Sequence, residues 1–222
     1  MNDPLPLVFV FLRRPDPGRT KTRLASAIGD EQAALLYKAM AEMIVDQLRP
    51  HAGRSLDVCL YTTPAGAAGD VRAWLLPEGD APGFVVVEQP AGDLTPRLEH
   101  AAALAREQQR PAVAFIGSDC PHFFSSDVIE AFQLLAQGER AVLGPADDGG
   151  FWLLALESAP AGLFDGIPWS TERTGEAMRA RLEELALRPR LHHGRNDIDQ
   201  AEDLEALPRS VRERLANRAR AL

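Results

Sequence analysis

Four short segments carry side chains whose types and spacing suit phosphate and cation chemistry. The first is Pro15-Asp16-Pro17-Gly18-Arg19-Thr20-Lys21-Thr22-Arg23-Leu24, directly after an apolar run. Prolines end a strand and glycine admits close backbone approach, so Pro17 and Gly18 open a loop of free amide groups flanked by cations. Lys21 offers a compact charge and Arg23 a planar fork, two complementary grips on phosphate oxygens. Of 24 basic residues only Lys21 and Lys38 are lysines, which singles out a lysine in a loop. Gly18 precedes Lys21 by three residues where a Walker A loop needs five, and no G-x-G-x-x-G follows a strand. A plain Pro-Gly turn with solvated cations has the same composition.

The second segment, Gly117-Ser118-Asp119-Cys120-Pro121, closes the apolar run Ala112–Ile116. A carboxylate at the carboxyl end of a buried parallel strand stands where open α/β sheets bind ligands, and its oxygens suit a hard cation such as Mg²⁺ bridging to phosphates. Asp119 is the leading metal ligand, with a turn cap as the competing role. Cys120 has no His/Asp ensemble around it in the sequence and reads as a small apolar filler. In the third, Asp147-Asp148-Gly149-Gly150-Phe151, Asp-Gly between two strand-like runs is what a plain hairpin turn wants, and the functional alternative is that the turn presents Asp148 towards a substrate. The fourth is Asn196-Asp197-Ile198-Asp199-Gln200-Ala201-Glu202-Asp203. There Asp199 and Glu202 have the spacing of a capping box for a helix starting at Gln200, and a second ligand for a cation is the alternative role of Asp199.

Weaker candidates surround these. Gln89, Asp93 and Arg97 follow a strand and could hold a base or sugar, Asp93 being equally a helix N-cap. Trp169-Ser170-Thr171 could line an acceptor site. His192 and His193 lack partners at metal-ligand spacing and are expected to face solvent at a strand end.

Positioning these loops requires alternating strands and helices. Leu5–Leu12, Leu56–Thr62, Phe84–Glu88, Ala112–Gly117 and Ala141–Gly144 read as strands, separated by helical patterns over Asp30–Arg49, around Leu94, Leu98, Ala101 and Ala105, and around Val128, Ala131 and Leu135. That alternation predicts βαβ units and a mainly parallel sheet. The Asp-Asp-Gly-Gly turn before Phe151–Leu156 adds an antiparallel hairpin, so the sheet is expected to be mixed. A helix over Thr171–Leu187, a strand near Leu191 and an Arg-rich helix after Pro208 complete the pattern. With 222 residues, no repeat and no long linker, one domain over 1–222 is expected.

Composition bounds the function. Hydrophobic residues at 45% and charged residues at 25% are globular averages, and no apolar run approaches the roughly 20 residues of a membrane span. A net charge of −8 argues against a nucleic-acid binder that works by phosphate neutralisation, so an anionic ligand must be held locally. Two cysteines and an N-terminus, Met1–Pro6, without a basic and apolar leader pattern predict a reducing cytoplasm.

Taken in order, the motifs resemble a bacterial family of GT-A-fold, glycosyltransferase-like proteins. The signatures are Phe11-Leu12-Arg13-Arg14-Pro15-Asp16-Pro17-Gly18-Arg19-Thr20-Lys21-Thr22-Arg23-Leu24, Gly92-Asp93-Leu94, Gly117-Ser118-Asp119-Cys120-Pro121, Gly144-Pro145-Ala146-Asp147-Asp148-Gly149-Gly150, Trp169-Ser170-Thr171 and Asp197-Ile198-Asp199. Three departures stand out: Arg13 replaces a usual lysine, Thr95 a usual glycine, and Asp-Gln-Ala-Glu-Asp the common Asp-Thr-Pro-Glu-Asp. The resemblance implies a three-layer α/β/α nucleotide-diphospho-sugar transferase fold with nucleotide and Mg²⁺ or Mn²⁺ binding.

On this reading, a glycosyltransferase takes a nucleotide sugar as donor. Pro17, Gly18, Lys21, Arg23, Gln89, Asp93 and Arg97 hold the nucleotide, Asp119 and Asp199 a cation, and Asp148 acts as base on an acceptor hydroxyl. The alternatives are a nucleotidyltransferase that consumes a nucleoside triphosphate and releases pyrophosphate, and a nucleotide-binding protein without turnover.

Overall fold

Alternate residues of the first strand, β1 (Leu7–Arg13), bury on opposite sides of a sheet: Val8, Val10 and Leu12 join one hydrophobic cluster, Leu7 and Phe9 another. Period-2 burial on both faces is what a central strand covered by helices requires. The structure, a computed structural model, describes residues 3–79 and 81–221; Met1 and Asn2 of the N-terminal segment read for a leader pattern lie outside these.

After β1 come α1 (Thr22–Ile28), α2 (Asp30–Leu48), β2 (Asp57–Thr63), α3 (Ala68–Leu75), β3 (Phe84–Glu88), α4 (Leu94–Glu107), β4 (Val113–Gly117) and α5 (Ser125–Ala136). The second half holds β5 (Ala141–Pro145), β6 (Phe151–Leu156), α6 (Thr174–Glu184), β7 (Arg190–Leu191), α7 (Ala201–Ala206) and α8 (Arg209–Arg220). The sheet order is β3-β2-β1-β4-β6-β5-β7, and only β6 runs against its neighbours. The expected mixed, mainly parallel sheet is therefore the observed one. Helices α2, α3 and α5 pack on one face, and α4 and α6 on the other, giving three layers. A third cluster joins α1, α2 and α8 around Leu24, Met40, Val211 and Leu215.

Several boundaries differ from expectation, each for a local reason. The first strand starts at Leu7 because Pro6 has no N–H to give the ladder. The helix expected over Thr171–Leu187 spans Thr174–Glu184, since Ser170 (φ 59°) and Ala186 (φ 56°) are left-handed and bracket it. The short helices α1 and α3 were not anticipated. Each buries only two residues, too few to establish a helical period. The last acidic motif also caps differently: α7 begins at Ala201, and Asp203 Oδ2 accepts from the Asp199 and Gln200 amides at 2.8 and 2.7 Å. Asp199 is thereby released from the capping role that its spacing to Glu202 suggested. His192 corrects the expectation of a solvent-facing pair, because its ring is only 2% exposed beside Glu130.

Candidate active site

Parallel strands β1 and β4 lie side by side in register, Phe11 opposite Gly117, yet the chain leaves β1 for β2 on the other side. Their connections therefore diverge and open a crevice at the carboxyl ends, the topological switch point of an open α/β sheet. The two leading motifs exit into that crevice from adjacent strands. Tyr37, on α2, fastens both exits: its hydroxyl accepts from the Arg13 amide at 2.8 Å and shares a hydrogen bond with Ser118 Oγ at 2.7 Å.

In the loop after β1, Arg14 pairs with Asp16 and Asp70, and Thr20 Oγ1 donates to the Arg14 carbonyl. Lys21 then adopts a left-handed conformation (φ 51°, ψ 50°) ahead of α1. That backbone costs a non-glycine residue about 1 kcal/mol, and it turns the side chain inward. Lys21 Nζ, on a side chain 7% exposed, lies 2.8 Å from Asp119 Oδ2 and 2.5 Å from Asp199 Oδ1. Arg23 Nη1 approaches Asp199 from the exposed side at 3.8 Å.

Asp197 completes the acidic group. One carboxylate oxygen from each of Asp119, Asp197 and Asp199 lies within 4.8 Å of the others. Between the two C-terminal aspartates, Ile198 is 1% exposed and its amide donates to the Asp119 carbonyl at 3.0 Å. A buried isoleucine flanked by acids at i−1 and i+1 anchors the chain inward and leaves both carboxylates at the surface it closes. That spacing was the available signal for Asp197, which sequence reasoning did not assign as a ligand. Tyr37 was the other omission: in the sequence it is one residue within the helical pattern over Asp30–Arg49.

The electrostatics follow from this crowding. Burial, reinforced by the neighbouring Asp119 carboxylate and opposed by Lys21, pushes the Asp197 carboxyl up to about 7. Burial disfavours the Lys21 ammonium, but Asp119 and Asp199 outweigh it and hold its pKa above the ordinary lysine value. A group of carboxylate oxygens that already draws one buried cation fits a hard divalent ion such as Mg²⁺ or Mn²⁺ by donor type.

Two compartments meet at Asp119. An open cleft of about 550 Å³ is lined by Arg13, Arg19, Lys21, Arg23 and Arg97, with Gln89 and Asp199. A neighbouring cavity of about 350 Å³ is lined by Phe11, Phe151, Trp152 and Trp169, with Asp148 and Asp197. Phe11, Leu94, Asp119 and Ser170 border both.

The remaining candidates are placed as follows. Gln89 is a buried staple, its amide donating to the Leu12 and Tyr61 carbonyls and accepting from Arg97 Nη1 at 3.2 Å. Arg97 Nε is buried with no partner among the described residues. Asp93 caps α4, accepting from the Thr95 amide at 3.1 Å, and lines neither compartment. Pro17 and Gly18 lie at the exposed turn of the first loop and also line neither. The Asp148 carboxylate accepts from the Gly150 amide at 2.8 Å. Trp169, Ser170 and Thr171 all line the apolar cavity. Cys59 and Cys120 are free and buried, and burial raises both thiols, which leaves Cys120 the inert filler its sequence context suggested.

Comparison with known proteins bears on this site. The family model described as "Uncharacterized protein conserved in bacteria (DUF2064)" matches residues 48–171, more than half of the chain. A solved structure from Desulfovibrio desulfuricans G20, described as a candidate nucleotide-diphospho-sugar transferase, is 26% identical with 97% of each chain covered and a TM-score of 0.84. A phosphoenolpyruvate guanylyltransferase of Thermomonospora curvata is 29% identical over 194 residues, 85% of this chain and 77% of the relative. The glucosyl-3-phosphoglycerate synthase of Mycobacterium tuberculosis, solved with Mn²⁺, uridine diphosphate and glucosyl-3-phosphoglycerate, shares the fold at 14% identity and a TM-score of 0.56, with 98% of this chain and 80% of that one covered.

Proposed function

The chain belongs to the bacterial family DUF2064 and has the nucleotide-diphospho-sugar transferase fold, and from that premise we propose that it is a glycosyltransferase using a nucleotide sugar as donor. One observation carries the choice: basic side chains line the first compartment, while the lining of the second, among the described residues, contains no lysine, arginine or histidine. A donor diphosphate is matched by the first. An acceptor hydroxyl needs no cation, whereas a phosphorylated acceptor would find no cationic side chain in the second, whose charged lining residues are Asp119, Asp148 and Asp197.

In the proposed reaction, Lys21, Arg23 and Arg97, all lining the cleft, grip the diphosphate oxygens. Asp119, Asp197 and Asp199 would hold Mg²⁺ or Mn²⁺, whose positive charge offsets that of the leaving diphosphate. The acceptor oxygen bonds to the anomeric carbon as the carbon–oxygen bond to the β-phosphate breaks, and the electron pair leaves with the nucleoside diphosphate. Asp148, at the rim of the second compartment, takes the hydroxyl proton.

Nucleotidyl transfer is a second reading, favoured by the five basic side chains around the cleft, enough for a triphosphate, and by the guanylyltransferase relative. Calorimetric unfolding with nucleotide sugars, nucleoside triphosphates and each cation, followed by product analysis, separates the readings. Release of a nucleoside diphosphate with glycosylated acceptor supports glycosyl transfer. Pyrophosphate release from a triphosphate replaces it with nucleotidyl transfer, and nucleotide binding without any turnover supports a binding protein.

A further inference from the structure

Resting on glycosyl transfer as the reaction, the cavity beyond Asp119 also carries information about its acceptor. We infer that the acceptor is a hydroxyl-bearing molecule with a flat apolar face and no anionic group, seated on a platform formed by Trp169 and held in place by Thr95. The charged groups that line this cavity are Asp119, Asp148 and Asp197. With Asp119 paired to Lys21 and both Asp119 and Asp197 assigned to the cation, Asp148 is the carboxylate left to repel a phosphate or carboxylate entering it, and among the described residues no lysine, arginine or histidine lines the wall to replace the lost water.

The walls explain the apolar face. Phe151 and Trp169 meet at 63° with ring centroids 6.3 Å apart, forming a corner, and Phe164 backs the indole at 6.4 Å. Trp169 Nε1 donates to Thr95 Oγ1 at 2.7 Å, and Thr95 Oγ1 donates onward to the Phe164 carbonyl at 3.4 Å. This chain fixes an otherwise rotatable indole from helix α4. Such a ring loses little entropy when a flat molecule settles on it, whereas a free side chain would have to be ordered on binding. Thr95 is a positioning residue here, because it reaches the acceptor only through Trp169.

Equilibrium dialysis with phenyl β-glucoside and phenyl β-glucuronide tests the inference, since these probes differ by a neutral hydroxymethyl against a carboxylate. The glucoside should bind about tenfold more tightly or better, and Asp148→Asn should narrow that gap. Trp169→Ala and Thr95→Val should weaken glucoside binding about tenfold while uridine diphosphate affinity stays unchanged, and Thr95→Ser, which keeps the hydroxyl, should restore the glucoside. Equal or tighter glucuronide binding, no glucoside binding at millimolar concentration, or an indifferent Trp169→Ala variant would overturn the acceptor assignment. Turnover is scored separately. Glucoside binding without glycosyl transfer from any nucleotide sugar counts against the reaction class alone, and transfer to anionic acceptors counts against the acceptor class alone.

Discussion

At the scale of single residues, Lys21 does the most with the least. Its ammonium sits between Asp119 and Asp199, so removing it leaves a crowded set of carboxylates with the nearest compensating charge gone. Both acids are partly exposed, which moderates the cost. Lys21→Met should lower stability by about 1–3 kcal/mol, a melting temperature about 3–10 °C lower in a chain of this size. Millimolar Mg²⁺ should return part of that loss, because a divalent ion replaces the missing charge. Scanning calorimetry of both proteins with and without the ion checks it, and an unchanged melting point would mean the bridge adds nothing to folding. The lysine was visible in the sequence as a rare residue type in a Gly-containing loop. Asp119 and Asp199, 98 and 178 residues away, were legible as acids of the same pocket, but their direct ion pairs with Lys21 were not.

Among the elements, the β5–β6 hairpin decides where Asp148 stands. Gly149, at φ +85°, lies so close to the loop before α6 that an added Cβ would come within 2.0 Å of the Glu172 carbonyl oxygen. The Gly175 amide also donates to the Gly149 carbonyl at 2.7 Å. On the other side, Asn196 and Asp147 exchange hydrogen bonds at 2.7 and 3.0 Å, clasping the turn to the acidic loop. Gly149→Ala combines a left-handed backbone with a clash against main chain, and neither can be relieved by rotating a side chain. It should cost about 2–4 kcal/mol, a fall of about 5–15 °C in melting temperature, and turnover should fall further than nucleotide affinity. A variant as stable and as active as the parent would show that the turn does not position Asp148. The hairpin itself was legible from Asp-Asp-Gly-Gly between two apolar runs. Its docking on α6 was not, because the steric demand comes from a segment more than 20 residues away.

For the whole molecule, the crowded carboxylates tie folding to pH. Asp197 titrates near 7 in the folded chain and near 3.9 when unfolded. Between those values the folded state keeps a proton that the unfolded state has lost, so this group's contribution is full at low pH and is lost as pH rises from about 4 to about 7. Asp197→Asn should remove that part of the slope. Urea midpoints at about pH 5 and about pH 8 should therefore fall more for the parent than for the variant. Parallel slopes would place Asp197 in ordinary solvent.

The sequence by itself determined the alternation of strands and helices, the antiparallel hairpin, and the loops that carry Lys21, Asp119 and Asp148. Those features depend on backbone sterics and on apolar spacing within a few residues, which a linear text records. Only the folded chain decided that Asp197 joins Asp119, that Asp203 and not Asp199 caps α7, that Tyr37 fastens two strand exits, and that Thr95 orients Trp169. Each of these depends on which distant side chain arrives first at a shared polar partner, and that is settled by sheet order and helix packing.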